Sequence, residues 1–119
     1  MLPGSPPVEA FNRHDVAAMI AQAAPDVRWH SLAGDSLVTE TVGRAALERE
    51  LTSCFRSYPT VRSTRSVVSS NGPYVAGREL VQWEQNGVRK SQASLRVYEI
   101  RDSRVRRVWY YPAVSGEQR

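Results

Sequence analysis

The sequence predicts an α+β domain in which helices cover one face of a mainly antiparallel sheet, and three observations carry that expectation. Between Val75 and Tyr111, runs rich in β-branched and aromatic residues are separated by Asn86-Gly87 and Asp102-Ser103. Asn-Gly between such runs is the strongest short-range hairpin signal. Apolar residues also recur at three-and-four spacing over 8–24 and over 44–56, the mark of amphipathic helices. The resulting order is helices, strand, helix and then four antiparallel strands, which suits a sheet with its helices gathered on one side.

In chain order, residues 1–7 form a Pro-rich lead expected to be disordered, 8–112 a single domain, and 113–119 a flexible tail. Val8, Phe11, Val16, Met19, Ile20 and Ala23 mark the first helical stretch, with Asn12-Arg13-His14-Asp15 as a break and Pro25-Asp26 as its end. Val27 to Ser31 alternates as a short strand, and Leu32 to Thr41 is a loop or weak hairpin around Gly34-Asp35. The second helix, about Arg44 to Arg56, carries a stripe of Ala45, Leu47, Leu51, Cys54 and Phe55. It stops at Tyr58-Pro59, because the residue before proline is pushed out of the helical region. Thr60 to Ser69 is a further strand, turned into the meander by Asn71-Gly72-Pro73. No internal repeat, low-complexity tract or interdomain linker is seen.

A two-residue turn at Asn86-Gly87 fixes a register: Trp83 opposite Lys90, Val81 opposite Gln92, Glu79 opposite Ser94, Gly77 opposite Arg96. Alternation then puts Glu79, Val81 and Trp83 on one face with Ser94, Arg96 and Tyr98. A three-residue loop at Asp102-Ser103-Arg104 continues that face, with Ile100 opposite Arg106, Tyr98 opposite Val108 and Arg96 opposite Tyr110. Apolar walls with a few convergent polar groups are how a small-molecule pocket is built. The other face carries Leu80, Ala93, Leu95, Val97 and Trp109, an apolar set that predicts a homodimer through this side.

At 119 residues and 41% hydrophobic the chain has enough apolar material for one core. The single cysteine, Cys54, excludes an intramolecular disulfide and reads as a buried structural thiol. No apolar run approaches the roughly 20 residues of a membrane span, and the first residues lack both the basic start and the apolar stretch of a signal sequence. A cytoplasmic protein without membrane partners is expected. The net charge of +4 is spread out, and the dense run Arg101, Arg104, Arg106 and Arg107 surrounds a hairpin turn without any nucleic-acid-binding motif, so nucleic acid is not the expected partner. Two histidines without a clustered Asp, Glu or Cys set give no metal-ligand pattern. No metal and no cofactor are expected.

Five pieces carry a resemblance in the correct order: Ala10 to Asp15, Ala24 to His30, Gly43 to Leu47, Trp83 to Gly87 and Tyr98 to Asp102. Through them the chain resembles the nuclear transport factor 2-like superfamily, in its SnoaL-like and ketosteroid-isomerase-like branch, over residues 8–112. The resemblance implies a cystatin-like fold, a curved, mixed, mainly antiparallel sheet wrapped over N-terminal helices into a cone with an internal pocket, with dimers common through the outer face. Its catalytic positions are not matched. The base of ketosteroid isomerases falls at Ser31, their oxyanion tyrosine at Pro7 and their second oxyanion donor at Arg96. The acid of SnoaL-type polyketide cyclases falls at Tyr110.

The inferred pocket instead holds Arg96, Glu79 and Tyr110 as catalytic candidates, with Trp29, Ser31, Trp83, Ser94, Tyr98 and Val108 as ligand-binding ones. Glu79 and Arg96 lie diagonally on neighbouring strands and admit two readings: an ion pair bracing the sheet, or an arginine holding an oxyanion with a glutamate whose pKa burial has raised. His30 is a fourth catalytic candidate. Alternation puts it on the face opposite Trp29 and Ser31, unless a bulge at the strand end turns it inward. His14, in the helix break, reads as an exposed cap residue. The expected function is binding of a hydrophobic or aromatic small molecule, either with cofactor-independent cyclase, isomerase or dehydratase activity on a polyketide-like metabolite, or as a non-catalytic domain that has lost the acids.

Overall fold

Two short helices, α1 (Val8–Asn12) and α2 (Val16–Ala21), open the described part of the chain. The computed structural model describes residues 8–33 and 36–115. The Pro-rich lead, Gly34-Asp35 and residues 116–119 lie outside that range. The expected break between the helices is real: His14 takes a φ of 57° and the Asp15 side chain accepts from the Ala18 amide, capping α2. His14 is not the exposed cap residue expected. Its ring stacks on Phe55 at 4.2 Å and its Nε2 donates to the Val61 carbonyl at 2.8 Å, so the break is pinned against the core.

The helical stretch ends at Ala21 rather than Ala24, and the next residues already belong to β1 (Ala23–Ala33). The Gln22 carbonyl accepts from the Val105 amide and the Ala23 carbonyl from the Arg44 guanidinium, so both oxygens are taken by tertiary partners. Pro25 sits inside this strand. It is tolerated because pairing with β6 jumps from Ala23–Val105 to Arg28–Arg107, leaving an irregular stretch in which no donor is demanded of proline. The loop or weak hairpin expected after Ser31 is a hairpin, with β2 (Ser36–Val42) paired antiparallel to β1.

Helix α3 (Arg44–Ser57) follows, ending at Tyr58 before Pro59 as expected. Strands β3 (Arg62–Asn71), β4 (Tyr74–Gln85), β5 (Val88–Arg101) and β6 (Arg104–Tyr110) then form the antiparallel meander. The sheet order is β2-β1-β6-β5-β4-β3, and the β1–β6 pairing is parallel, which makes the sheet mixed. Beyond residue 112 the short β7 (Val114–Ser115) pairs with β5 at Gln92 and Ala93.

The register of β4 and β5 is the one the Asn-Gly turn predicts, from Trp83–Lys90 through Gly77–Arg96. Asn86 and Gly87 have φ of 53° and 75°, both positive as a type I′ turn requires. The second turn differs from expectation. Asp102 and Ser103 alone make it, with Arg101 paired to Arg104 and Ile100 to Val105 instead of Arg106. A bulge that leaves Arg106 unpaired then restores the expected Tyr98–Val108 and Arg96–Tyr110 partners. A comparable bulge in β3 puts Val68 out of the ladder, 69% exposed. Beside it Gly77 lets β3 close in, since a Cβ there would stand 2.6 Å from the Ser66 carbonyl oxygen.

The core forms where the helices meet the sheet. Ala23, Val27, Leu47, Leu51, Phe55 and Val61 are buried there, with Phe11, Val16, Met19, Ile20 and Trp29 packed around them. Helix α3 contributes Leu47, Leu51 and Phe55 at helical spacing, and Phe11 of α1 meets Phe55 edge-on at 5.2 Å. The curved sheet does not close completely on this core, and the space left between them is the site.

Candidate ligand cavity

A cavity of about 260 Å³ lies between the helices and the sheet, close to the lower end of the roughly 300–1,000 Å³ usual for small-molecule sites. Its walls are mostly apolar, among them Phe11, Val27, Trp29, Leu51, Val81 and Val108. Its polar end is formed by Arg65, Glu79, Arg96 and Tyr98, where β3, β4 and β5 lie side by side.

Glu79 is 3% exposed and fully engaged. Its Oε1 accepts from Arg96 Nη2 at 2.6 Å, and its Oε2 accepts from Ser63 Oγ at 2.7 Å and Arg65 Nε at 2.9 Å. Burial alone would raise its pKa, the effect expected from sequence. The charges of Arg96 and Arg65, with the hydrogen bonds from Ser63 and Arg65, outweigh burial and leave the carboxyl below its ordinary value. Glu79 is therefore a fixed carboxylate rather than a poised acid. Two guanidiniums thus face this one carboxylate at the polar end of the cavity.

Tyr98 is 7% exposed, and its hydroxyl is buried without a hydrogen-bond partner among the described residues. The Arg65 guanidinium stands 5.3 Å from its ring centroid. Burial raises its pKa, reinforced by Glu79 and opposed by the two arginines, which keeps the phenol protonated and able to donate. Cys54, half-buried rather than buried as expected, also lines the cavity, and burial followed by the charge of Glu50 pushes its thiol up.

Arg96 is a wall shared with a second, more open depression of about 250 Å³, formed by Ser31, Gln92, Ser94, Tyr110 and the segment that follows Tyr110. Its Nε donates to Ser94 Oγ at 3.3 Å and its guanidinium lies 4.9 Å from the Tyr110 ring centroid. Trp29 meets Tyr110 edge-on at 5.9 Å.

The structure thus brings Trp29, Glu79, Arg96, Tyr98 and Val108 to the cavity and Ser31, Ser94 and Tyr110 to the adjoining depression. Trp83 does not line either. It packs on Tyr58 at 5.8 Å and against the core, because the end of β4 lies beyond the cavity. His30 stays on the opposite face, stacked on Trp109 at 5.7 Å with Nδ1 2.9 Å from Thr39 Oγ1. A bulge does occur beside it, but in the partner strand, and so does not turn His30 inward. Ser63, Arg65 and Glu50 were missed by the sequence reading, whereas Gln92, opposite Val81 on the expected pocket face, does line the cavity. Among the described residues no cluster of three or more His, Cys, Asp or Glu side chains is placed to hold a metal ion.

A family model for the SnoaL-like domain matches residues 8–108. The chain belongs to the SnoaL-like family. Solved structures of the same nuclear transport factor 2-like fold agree. A candidate polyketide cyclase from Xanthomonas campestris pv. campestris is 26% identical, with TM-score 0.65 over 88% of this chain and 83% of that one. IdmH, a candidate polyketide cyclase from Streptomyces antibioticus, is 23% identical, with TM-score 0.69 over 89% and 85%. TerC, co-crystallised with polyporic acid, is 16% identical, with TM-score 0.72 over 97% and 87%. No match is found among curated proteins. No helix among the described residues is long and apolar enough to cross a membrane.

Proposed function

We propose that this SnoaL-like protein binds a small aromatic or polyketide-like metabolite in its cavity and rearranges it without a cofactor, as a cyclase, isomerase or dehydratase acting by proton transfer. The observation that carries this reading is the largely buried Arg65–Glu79–Arg96 cluster, in which two guanidiniums meet one carboxylate at the polar end of a mostly apolar cavity. Guanidiniums so placed stabilise a carboxylate, phenolate or enolate more strongly than fully solvated ones would, because water screens them less. The Tyr98 hydroxyl adds a neutral donor beside it. The neighbours described as candidate polyketide cyclases, and the one crystallised with polyporic acid, support the same ligand class. A non-catalytic binding domain is the second reading, favoured by the complete locking of Glu79. We further propose that the protein works as a homodimer through the sheet face that carries Leu95, which is 53% exposed.

Arg96→Met tests the reading. Glu79 keeps Arg65 and Ser63, so stability should fall by only about 1–3 kcal/mol. Affinity for 2-naphthoate, measured by calorimetry, should fall at least about tenfold, the loss of one charge-assisted bond, while binding of its neutral methyl ester should hardly change. Equal losses for acid and ester would show that Arg96 only braces the sheet.

A further inference from the structure

Strand β2 carries one residue more than β1 can pair. Thr39 lies opposite His30 and Thr41 opposite Trp29, so Glu40 between them has no place in the ladder. Bulges re-aim side chains, and this one sends Glu40 across β1 to β6, where its Oε2 accepts from the Tyr110 hydroxyl at 2.5 Å. Tyr110 lines the open depression together with Ser31, Ser94 and Arg96, and its ring lies under the Arg96 guanidinium. A single phenol ring therefore separates a largely buried cation from an exposed carboxylate. Glu79 has both oxygens occupied and Ser31 is no base; Glu50 lines the inner cavity, and Glu40 is the carboxylate hydrogen-bonded to the tyrosine of the open depression.

We infer that Glu40 is the proton-transfer group of the site, with Tyr110 positioning it, and that the ligand is a carbonyl compound with an acidic C–H beside the carbonyl. This rests on the reading that the cavity and its depression hold the ligand. The C–H bond breaks, its proton passes to the free oxygen of Glu40, and the bonding pair becomes an enolate whose oxygen is held by Arg96. Glu40 then returns the proton to another carbon of the enolate, completing an isomerisation. Alternatively the enolate carbon bonds to a second carbonyl carbon of the same molecule, and Glu40 protonates the resulting alkoxide, completing a ring closure. Glu40 ends as it began in both, and no oxidant or reductant enters.

The probe for this is 5-nitrobenzisoxazole, a compact aromatic that loses a ring C–H proton to a base as its N–O bond breaks, releasing coloured 2-cyano-4-nitrophenolate. The wild-type chain should turn it over with saturation. Glu40→Gln should lower kcat by about a hundredfold, the scale of one positioned base, with KM changed by less than about twofold. Glu40→Asp should fall between, and Tyr110→Phe should lower kcat by about tenfold with KM again nearly unchanged. Glu48→Gln, on the exposed side of α3, should match wild type. Binding of the product phenolate, read by tryptophan quenching, separates the two ideas. Binding without turnover, an unchanged kcat in Glu40→Gln, or loss of turnover in Glu50→Gln in its place overturns the role of Glu40 alone. Failure to bind removes the cavity reading and this inference with it.

Discussion

Glu79 and Glu99 are each 3% exposed, each faces two arginines, and they lie on opposite faces of the same sheet. Their surroundings differ. Around Glu79 the side chains of Arg65 and Arg96 are both only 17% exposed, and every oxygen is satisfied. Around Glu99 the arginines, Arg101 and Arg107, are 50% and 44% exposed, and Oε1 accepts no hydrogen bond. Two guanidiniums near a buried carboxylate are therefore not enough to define a functional centre. What distinguishes the cavity cluster is that its cations are largely desolvated as well, so that their interactions are less screened by water.

The largest effect expected is the one that breaks this asymmetry directly. Glu79→Ala takes the shared carboxylate from two largely buried guanidiniums and should cost about 3–5 kcal/mol in urea melts, whereas Glu99→Ala frees two arginines that water can reach and should cost much less, with an effect that shrinks further in high salt. A similar loss for both would show that exposure of the arginines does not matter.

A smaller effect separates the faces by pH. Because the folded pKa of Glu79 lies below the ordinary 4.5, its cluster contributes fully above that pH and is lost as pH falls through the folded value. On the other face burial, then Arg107 and Arg28, hold His30 below its ordinary 6.5. The unfolded chain therefore takes up the proton first, and stability drains away as pH falls below 6.5. Melts from pH 7 to 3 should show two sloping windows, with Glu79→Gln flattening the lower and His30→Gln the upper. A single window would mean that one of the two groups titrates as it does in the unfolded chain.

The smallest effect on the fold, and the sharpest on assembly, is expected from Leu95→Arg. It should leave the cavity and the melting curve nearly intact while converting a dimer mass to a monomer mass in light scattering. A monomer mass for the wild type would rule out the proposed homodimer.

Much of the cavity was legible from one turn. Asn86-Gly87 sets the register of β4 and β5, and alternation from there places Glu79, Arg96 and Tyr98 together. Arg65 was not legible, because counting back from the turn at Gly72-Pro73 without a break puts Arg65 opposite Leu80, on the wrong face. Only after Val68 drops out of the ladder does Arg65 come opposite Glu79. Glu40 was hidden for the same reason, and Arg106 likewise concealed that the second hairpin turn has two residues rather than three. Pro25 stopped the helix on paper, whereas tertiary hydrogen bonds to the Gln22 and Ala23 carbonyls had already ended it. Local propensity reads a strand's existence well, but single-residue slips in pairing depend on the neighbouring strand.

The bulge at Glu40 bears on how such a protein can change over time. Its ladder neighbours Thr39 and Thr41 already hold their partners on β1, so loss of one codon at this point would shorten β2 into a regular strand and leave the frame of the sheet as it is. The carboxylate beside Tyr110 thus rides on a residue the architecture does not need. A single deletion would therefore remove that acid, whereas the positions of Arg65 and Arg96 opposite Glu79 and Gly77 are set by the pairing of the sheet itself.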